Sequence, residues 1–154
     1  MEFTAENIKA LTFKKRCTGE GSSRRVVPID DDIVIKIAKN TKGIEQNKAE
    51  YSISRDLCAH RMNDCLWMSD DSMYLAATRC KPIKDSEFGE MLHQIADDDG
   101  MSFDDFVMEC KTNFGLIPGD IWSNSSWGKN SSGKYVLIDF GCTYDIYNRL
   151  YMRK

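Results

Sequence analysis

The chain has 154 residues, of which 42% are hydrophobic and 29% charged, with a formal net charge of −3. That length suits one domain with a proper core. The slight acidic balance excludes a general nucleic-acid-binding or membrane-surface face, and no apolar run approaches the roughly 20 residues that span a bilayer.

Six cysteines (Cys17, Cys58, Cys65, Cys80, Cys110, Cys142) form no Cys-x-x-Cys pair, and only His60 and His93 could join them around a metal, so zinc is not expected. No secretory signal is read at the start. The thiols are read as reduced, in a cytoplasmic protein.

Thr4 before Ala5, Glu6 and Asn7 predicts a helix N-cap, with Phe3 packing on Ile8 as a hydrophobic staple and the helix ending near Leu11. Phe13 to Cys17 reads as a strand that leads into the glycine-containing turn Gly19-Glu20-Gly21-Ser22-Ser23. Val26 to Ile29, the turn Asp30-Asp31-Asp32 and Ile33 to Ile37 form an antiparallel hairpin. In its second strand Val34, Lys36 and Ala38 share one face.

Thr41 to about His60 is the clearest helix, and Glu50 shares a stripe with Gln46, Ile53 and Leu57. A carboxylate on a buried stripe needs a partner, and Lys36 is the obvious one. Cys65 to Met68, the turn at 69–72 and Met73 to Ala77 make a second hairpin. Beyond Thr78 the chain turns helical. Ser86 is expected to cap a helix carrying Phe88, Met91, Leu92 and Ile95, and Ser102 one carrying Phe103, Phe106, Val107 and Cys110.

Residues 114–133 are the least regular stretch. Tyr135-Val136-Leu137-Ile138 then reads as a buried strand that delivers Asp139-Phe140-Gly141 at its end. Last, Tyr144, Tyr147 and Tyr151 recur at helical spacing among Asp145, Arg149 and Arg153. They predict a terminal helix whose tyrosines pack into the core, with Trp122 and Trp127 as further aromatic surface.

Taken in order, Gly19, Gly21 and Val26, Lys36 on the next strand, Asp120, and Asp139 of Asp-Phe-Gly 19 positions later resemble the motifs of a protein kinase over roughly residues 13–143. Arg24 stands where the third glycine belongs. Arg24 and Arg25 offer charge to a phosphate or stand in solvent. Val34 replaces the usual alanine before Ile35-Lys36, Pro118-Gly119 replaces the usual His-Arg before Asp120, and Ser125 stands where an asparagine is expected, with Asn124 one position early.

The resemblance implies an α+β, protein-kinase-like fold: a small antiparallel sheet plus one long helix over about residues 1–78, a hinge at 79–84, and a reduced helical second lobe over 85–154. It implies binding of ATP with Mg²⁺. Gly19, Gly21, Val26, Val34 and Lys36 would hold the nucleotide, and Glu50 would orient Lys36. Asp139 would hold the metal with Ser125 and Asn124, and Asp120 would serve as a base.

With 15 residues after Asp139 and no activation segment in them, the chain most resembles short kinase-like proteins of phages and mobile elements. Two further readings compete with nucleotide binding. One is a minimal phosphotransferase acting on a small molecule. The other is a pseudokinase-type protein that docks on a protein partner, for example as an inhibitor of a host defence enzyme.

Overall fold

The computed structural model describes residues 2–152. The chain divides into two compact units. One comprises the residues up to Asp56 together with Asn63–Arg79, the other Leu57–Met62 and the residues from Cys80 onward.

The first unit is built on a five-stranded antiparallel sheet of order β1-β2-β3-β5-β4, formed by β1 (Gly19–Glu20), β2 (Arg24–Pro28), β3 (Ile33–Ala38), β4 (Cys65–Met68) and β5 (Tyr74–Thr78). Register fixes what each face carries. Val27 lies opposite Ile35, and Val26 opposite Lys36. Because successive side chains on a strand alternate, Ile33, Ile35 and Ile37 share one face, and Val34, Lys36 and Ala38 share the other.

Helix α1 (Ala5–Thr12) covers the isoleucine face. Thr4 caps it through a bond from the Asn7 amide, and Ile8 is buried among Val27, Ile35, Ile37 and Ala76. The strand expected over Phe13 to Cys17 does not form. Lys14 adopts a left-handed φ of 64°, the Lys15 amide bonds the Thr12 carbonyl, and Phe13 is 70% exposed. After that turn pairing with β2 begins only at Thr18, whose amide bonds the Val26 carbonyl at 2.8 Å.

Helix α2 (Thr41–Ser54) meets the opposite face, with Asn40 as its N-cap. It stops six residues short of His60, and Leu57, expected on the Glu50 stripe, is 98% exposed. The buried face of α2 is polar, made of Gly43, Gln46, Asn47 and Glu50, with Ile53 its large apolar member. Past the end of α2 Leu57 finds no burial, and packing is what sustains most protein helices.

The second unit contains α3 (Phe88–Asp99), α4 (Phe103–Phe114) and the short α5 (Pro118–Ile121). It also contains a three-stranded antiparallel sheet of order β6-β7-β8, from β6 (Lys81–Pro82), β7 (Trp127–Lys129) and β8 (Tyr135–Leu137). Met91 and Ile95 of α3 and the expected Phe103, Phe106, Val107 and Cys110 of α4 form its core. Ser102 caps α4 as expected. Ser86 does not cap α3: it lies in a 3₁₀ turn, Asp85–Glu87, whose Glu87 carboxylate accepts the Lys84 amide.

The stretch read as least regular therefore holds α5 and β7, and Trp127 is buried rather than displayed, donating its indole N–H to the Ile121 carbonyl at 2.7 Å. At the far end, α6 (Tyr144–Ile146) continues into a π-helical turn, Tyr147–Tyr151. Ile146 is the buried residue there. Tyr144 and Tyr147 are exposed, and the rings of Tyr147 and Tyr151 stack at 5.8 Å, so the tyrosines do not fill a core. Arg153 lies outside the described residues. Among the described residues no helix is long and apolar enough to cross a membrane.

Candidate functional site

In the first unit the second face of the sheet carries the polar cluster. Glu50 is fully buried, and both its oxygens receive the Lys36 amine, at 2.9 and 2.8 Å. The pairing expected from the stripe is therefore formed. Arg24 joins it: its guanidinium grips the same carboxylate at 2.7 and 3.2 Å and donates to Asn47 Oδ1 at 3.1 Å. Burial alone would raise the Glu50 pKa, but Arg24 and then Lys36 more than offset this and lower it from 4.5 to about 2.

Arg24 is thus neither solvated nor displayed on the turn; it is buried. Strand alternation explains this, since Arg24 and Val26 lie on the same face of β2 as their cross-strand partners Ala38 and Lys36 lie on β3. Val26, Val34 and Ala77 continue that face, with Val34 directly opposite Ala77. The two valines are half-buried, and Ala77 is fully buried. A small apolar platform therefore adjoins two cations.

The glycine-containing turn is closed by a bond from the Gly21 amide to the Arg24 carbonyl at 2.9 Å. Lys39 and Asn40, at the junction of β3 and α2, hold it. The Lys39 amine reaches Glu20 and the Gly21 carbonyl, the Lys39 amide reaches the Ser23 carbonyl, and the Asn40 amide group reaches the Ser22 carbonyl. A Cβ on Gly21 would meet nothing within 4 Å, and one on Gly19 would make only ordinary contact with Val26. Neither glycine is demanded by the protein's own packing.

In the second unit Asp139 follows β8, after Ile138, whose amide bonds the Ser126 carbonyl at 2.8 Å. Asp139 and Asp120 are both exposed. The Asp120 pKa is raised, first by partial burial and second by the charge of Asp139, so the two carboxylates are near enough to repel. Asn124 donates its amide group to Asp85, and the Ser125 hydroxyl pairs with that of Ser123 at 3.0 Å. Among the described residues no three His, Cys, Asp or Glu side chains are grouped to hold a metal.

Sequence reasoning missed Arg24 and Asn47 as members of the first cluster. A signal existed: Gly43, Gln46, Asn47 and Glu50 fall at i, i+3, i+4 and i+7, a polar stripe that has to face polar groups if it is buried.

No protein-family model matches the chain, and no curated protein matches it. Among solved structures it is similar to the crystal structure of Cex1p, with a TM-score of 0.54 at 14% identity over 97% of this chain and 31% of that chain. It is also similar to the structure of the GDP and kanamycin complex of APH(2")-IIia, with a TM-score of 0.47 at 13% identity over 88% and 71% of the two chains. The chain spans about a third of the length of Cex1p. Such identities speak to fold alone, and the fold is α+β: an antiparallel five-stranded sheet with a strand lysine paired to a helix glutamate, and a mainly helical second unit.

Proposed function

We propose that the protein binds a nucleotide together with Mg²⁺, in the manner of kinase-like proteins. The observation that carries this reading is the buried Lys36–Glu50 pair beside the platform of Val26, Val34 and Ala77. A carboxylate fixed under a lysine aims its ammonium while leaving it cationic, which suits a phosphate oxygen, and small apolar side chains suit a base. Gly19 and Gly21 would let backbone N–H groups approach the phosphates, a space that a Cβ would fill.

Asp139 and Asp120 fit a magnesium ion in chemistry. They are hard oxygen donors, and the charge of Asp139, which adds to partial burial in raising the Asp120 pKa, would be offset by a cation. Mg²⁺ is commonly held by one or two carboxylates, with waters and phosphates completing its shell. Asp139 is the proposed ligand, assisted by Asn124 or Ser125, and the cation would neutralise phosphate charge. If transfer to a small acceptor occurs, Asp120 is the group to accept its proton. Six cysteines that form no Cys-x-x-Cys pair fit a reducing, cytoplasmic setting.

A second reading, a pseudokinase-type protein that docks on a protein partner, is favoured by the engagement of Asn124 with Asp85 and of Ser125 with Ser123. The exposed Trp122, Tyr144 and Tyr147 would then supply contact area. One titration separates the two. Saturating Mg-ATP at 100 times Kd should add about 2.7 kcal/mol of stability, and Asp139→Asn should remove the metal-dependent part. No melting shift at millimolar nucleotide would reject nucleotide binding and leave the docking protein.

A further inference from the structure

We infer that Arg24, in the place where kinase-like sequences carry a glycine, is the positioning residue that binds α2 to the glycine-containing turn and holds Glu50 whether or not Lys36 does. Only the readout with nucleotide rests on the reading above. The geometry favours Arg24 over Lys36 for this task. Lys36 reaches α2 at Glu50. Arg24 reaches it at two positions one turn apart, Asn47 and Glu50. Its planar guanidinium sets both the distance and the orientation of the carboxylate, whereas an ammonium sets chiefly the distance.

The neighbouring backbone continues the same seam. Ser23, one residue before Arg24, donates its hydroxyl to Gln46 at 3.1 Å. A Cβ on Gly43 would collide with the Ser23 carbonyl oxygen and stand 2.9 Å from Ala38 Cα, so the helix can approach this closely only with glycine there. Ser23 and Arg24 thus meet α2 at 43, 46, 47 and 50, the whole of its polar stripe. Asn47 passes the connection on, donating to the Ser72 carbonyl at 2.9 Å in the turn between β4 and β5. Helix and turn therefore move as one body. Lys36 adds two bonds to the same carboxylate, so it acts on a helix that Ser23 and Arg24 already hold.

The test compares Arg24→Met, Arg24→Lys and Lys36→Met, each confirmed as folded by a cooperative melt. Hydrogen exchange of the α2 amides and the titration of the Glu50 carboxyl followed by NMR are read without nucleotide. Arg24→Met should speed α2 exchange at least tenfold and raise the Glu50 pKa while Lys36 is intact. Lys36→Met should change α2 exchange less than threefold. Arg24→Lys should restore the charge on Glu50 but not the slow exchange, because it cannot reach Asn47 and Glu50 together.

If Lys36→Met loosens α2 as much as Arg24→Met does, or if Arg24→Lys restores exchange in full, the inference is overturned. Mg-ATP isotherms are then recorded for the same proteins. If the wild type binds, Arg24→Met should weaken binding at least tenfold, and unchanged affinity would overturn the link from turn to ligand. If the wild type does not bind, the nucleotide reading falls, and the exchange and titration results still decide the role of Arg24.

Discussion

Each unit of this protein buries an arginine, and the two are buried in different ways. Arg61, in the second unit, has all five donors engaged, by Asp99 at 2.6 Å, Asp98, the Gln94 side chain and carbonyl, and the Tyr135 carbonyl, and it adopts a left-handed φ of 58°. Its own carbonyl accepts the Leu137 amide. Its acids reach water: Asp98 has 57% of its side chain exposed and Asp99 20%. Arg24, in the first unit, shares with Lys36 a carboxylate that has no exposure. Arg61 is a staple across distant segments whose charges are partly hydrated. Arg24 belongs to a charged cluster centred on Glu50, an acid that water does not reach.

The two arginines should differ most when the acid is removed at Glu50. Glu50→Gln leaves two buried cations without their shared carboxylate, and removal of one partner of a buried pair costs about 3–5 kcal/mol. Chemical denaturation in urea at pH 7 should show a loss of that order. A loss under about 1 kcal/mol would mean that the cluster is hydrated like the acids around Arg61.

Acid should act on the same residue with a slightly smaller effect. The Glu50 carboxyl titrates near 2 in the folded protein against 4.5 when unfolded. A lowered folded pKa gives stability that is present above about pH 4.5 and is lost as pH falls toward 2, worth about 3 kcal/mol in all. Urea midpoints measured from pH 6 down to pH 3 should fall in the wild type, and the Glu50→Gln variant should lack this component of the slope.

Much of this difference was hidden in the sequence, while the fold was not. The hairpins over β2–β3 and β4–β5 carry turn residues between alternating strands, and α4 displays Phe103, Phe106, Val107 and Cys110 at helical spacing, so local chemistry alone implied them. The Lys36–Glu50 pair was legible because it joins a strand face to a helix stripe. Arg24 and Arg61 were not, because an arginine in a turn or loop looks solvated until register shows where it points. Arg24 turns inward through the pairing of β2 with β3, and Arg61 through contacts with residues 33 to 74 positions away. Leu57 failed for the opposite reason: periodicity placed it on a face, but the helix had ended. Trp127 lies buried because a strand formed where turn-like composition suggested a loop.

Around Arg61 the loss of one acid should matter much less. Asp98→Asn removes a charge that is more than half exposed, and exposed pairs contribute only about 0.2–1 kcal/mol. Asp99, Gln94 and the Tyr135 carbonyl remain to satisfy the guanidinium. A loss well below 1 kcal/mol in the urea midpoint, further reduced by salt, is expected. A loss as large as that of Glu50→Gln would show that the second unit also rests on a dry charge.

The smallest stability effect belongs to Gly21, and it tests whether the cluster of Arg24, Lys36 and Glu50 serves a ligand. Gly43, on the helix that meets this turn, is fixed by contact with the Ser23 backbone, but a Cβ at Gly21 meets nothing and Gly21 is not among the glycines with positive φ. Gly21→Ala should therefore change folding stability by no more than about 0.5–1 kcal/mol, in the stabilising direction if the lost freedom of the unfolded chain dominates. The space beside its Cα is then open to something that approaches the backbone from outside. If phosphate oxygens do so, the same methyl group should weaken Mg-ATP binding in a calorimetric titration while the free protein melts no lower than the wild type. Equal affinity for alanine and glycine at position 21 would instead make the turn an ordinary hairpin end, and the pair of Lys36 and Glu50 a structural cluster closer in kind to that of Arg61.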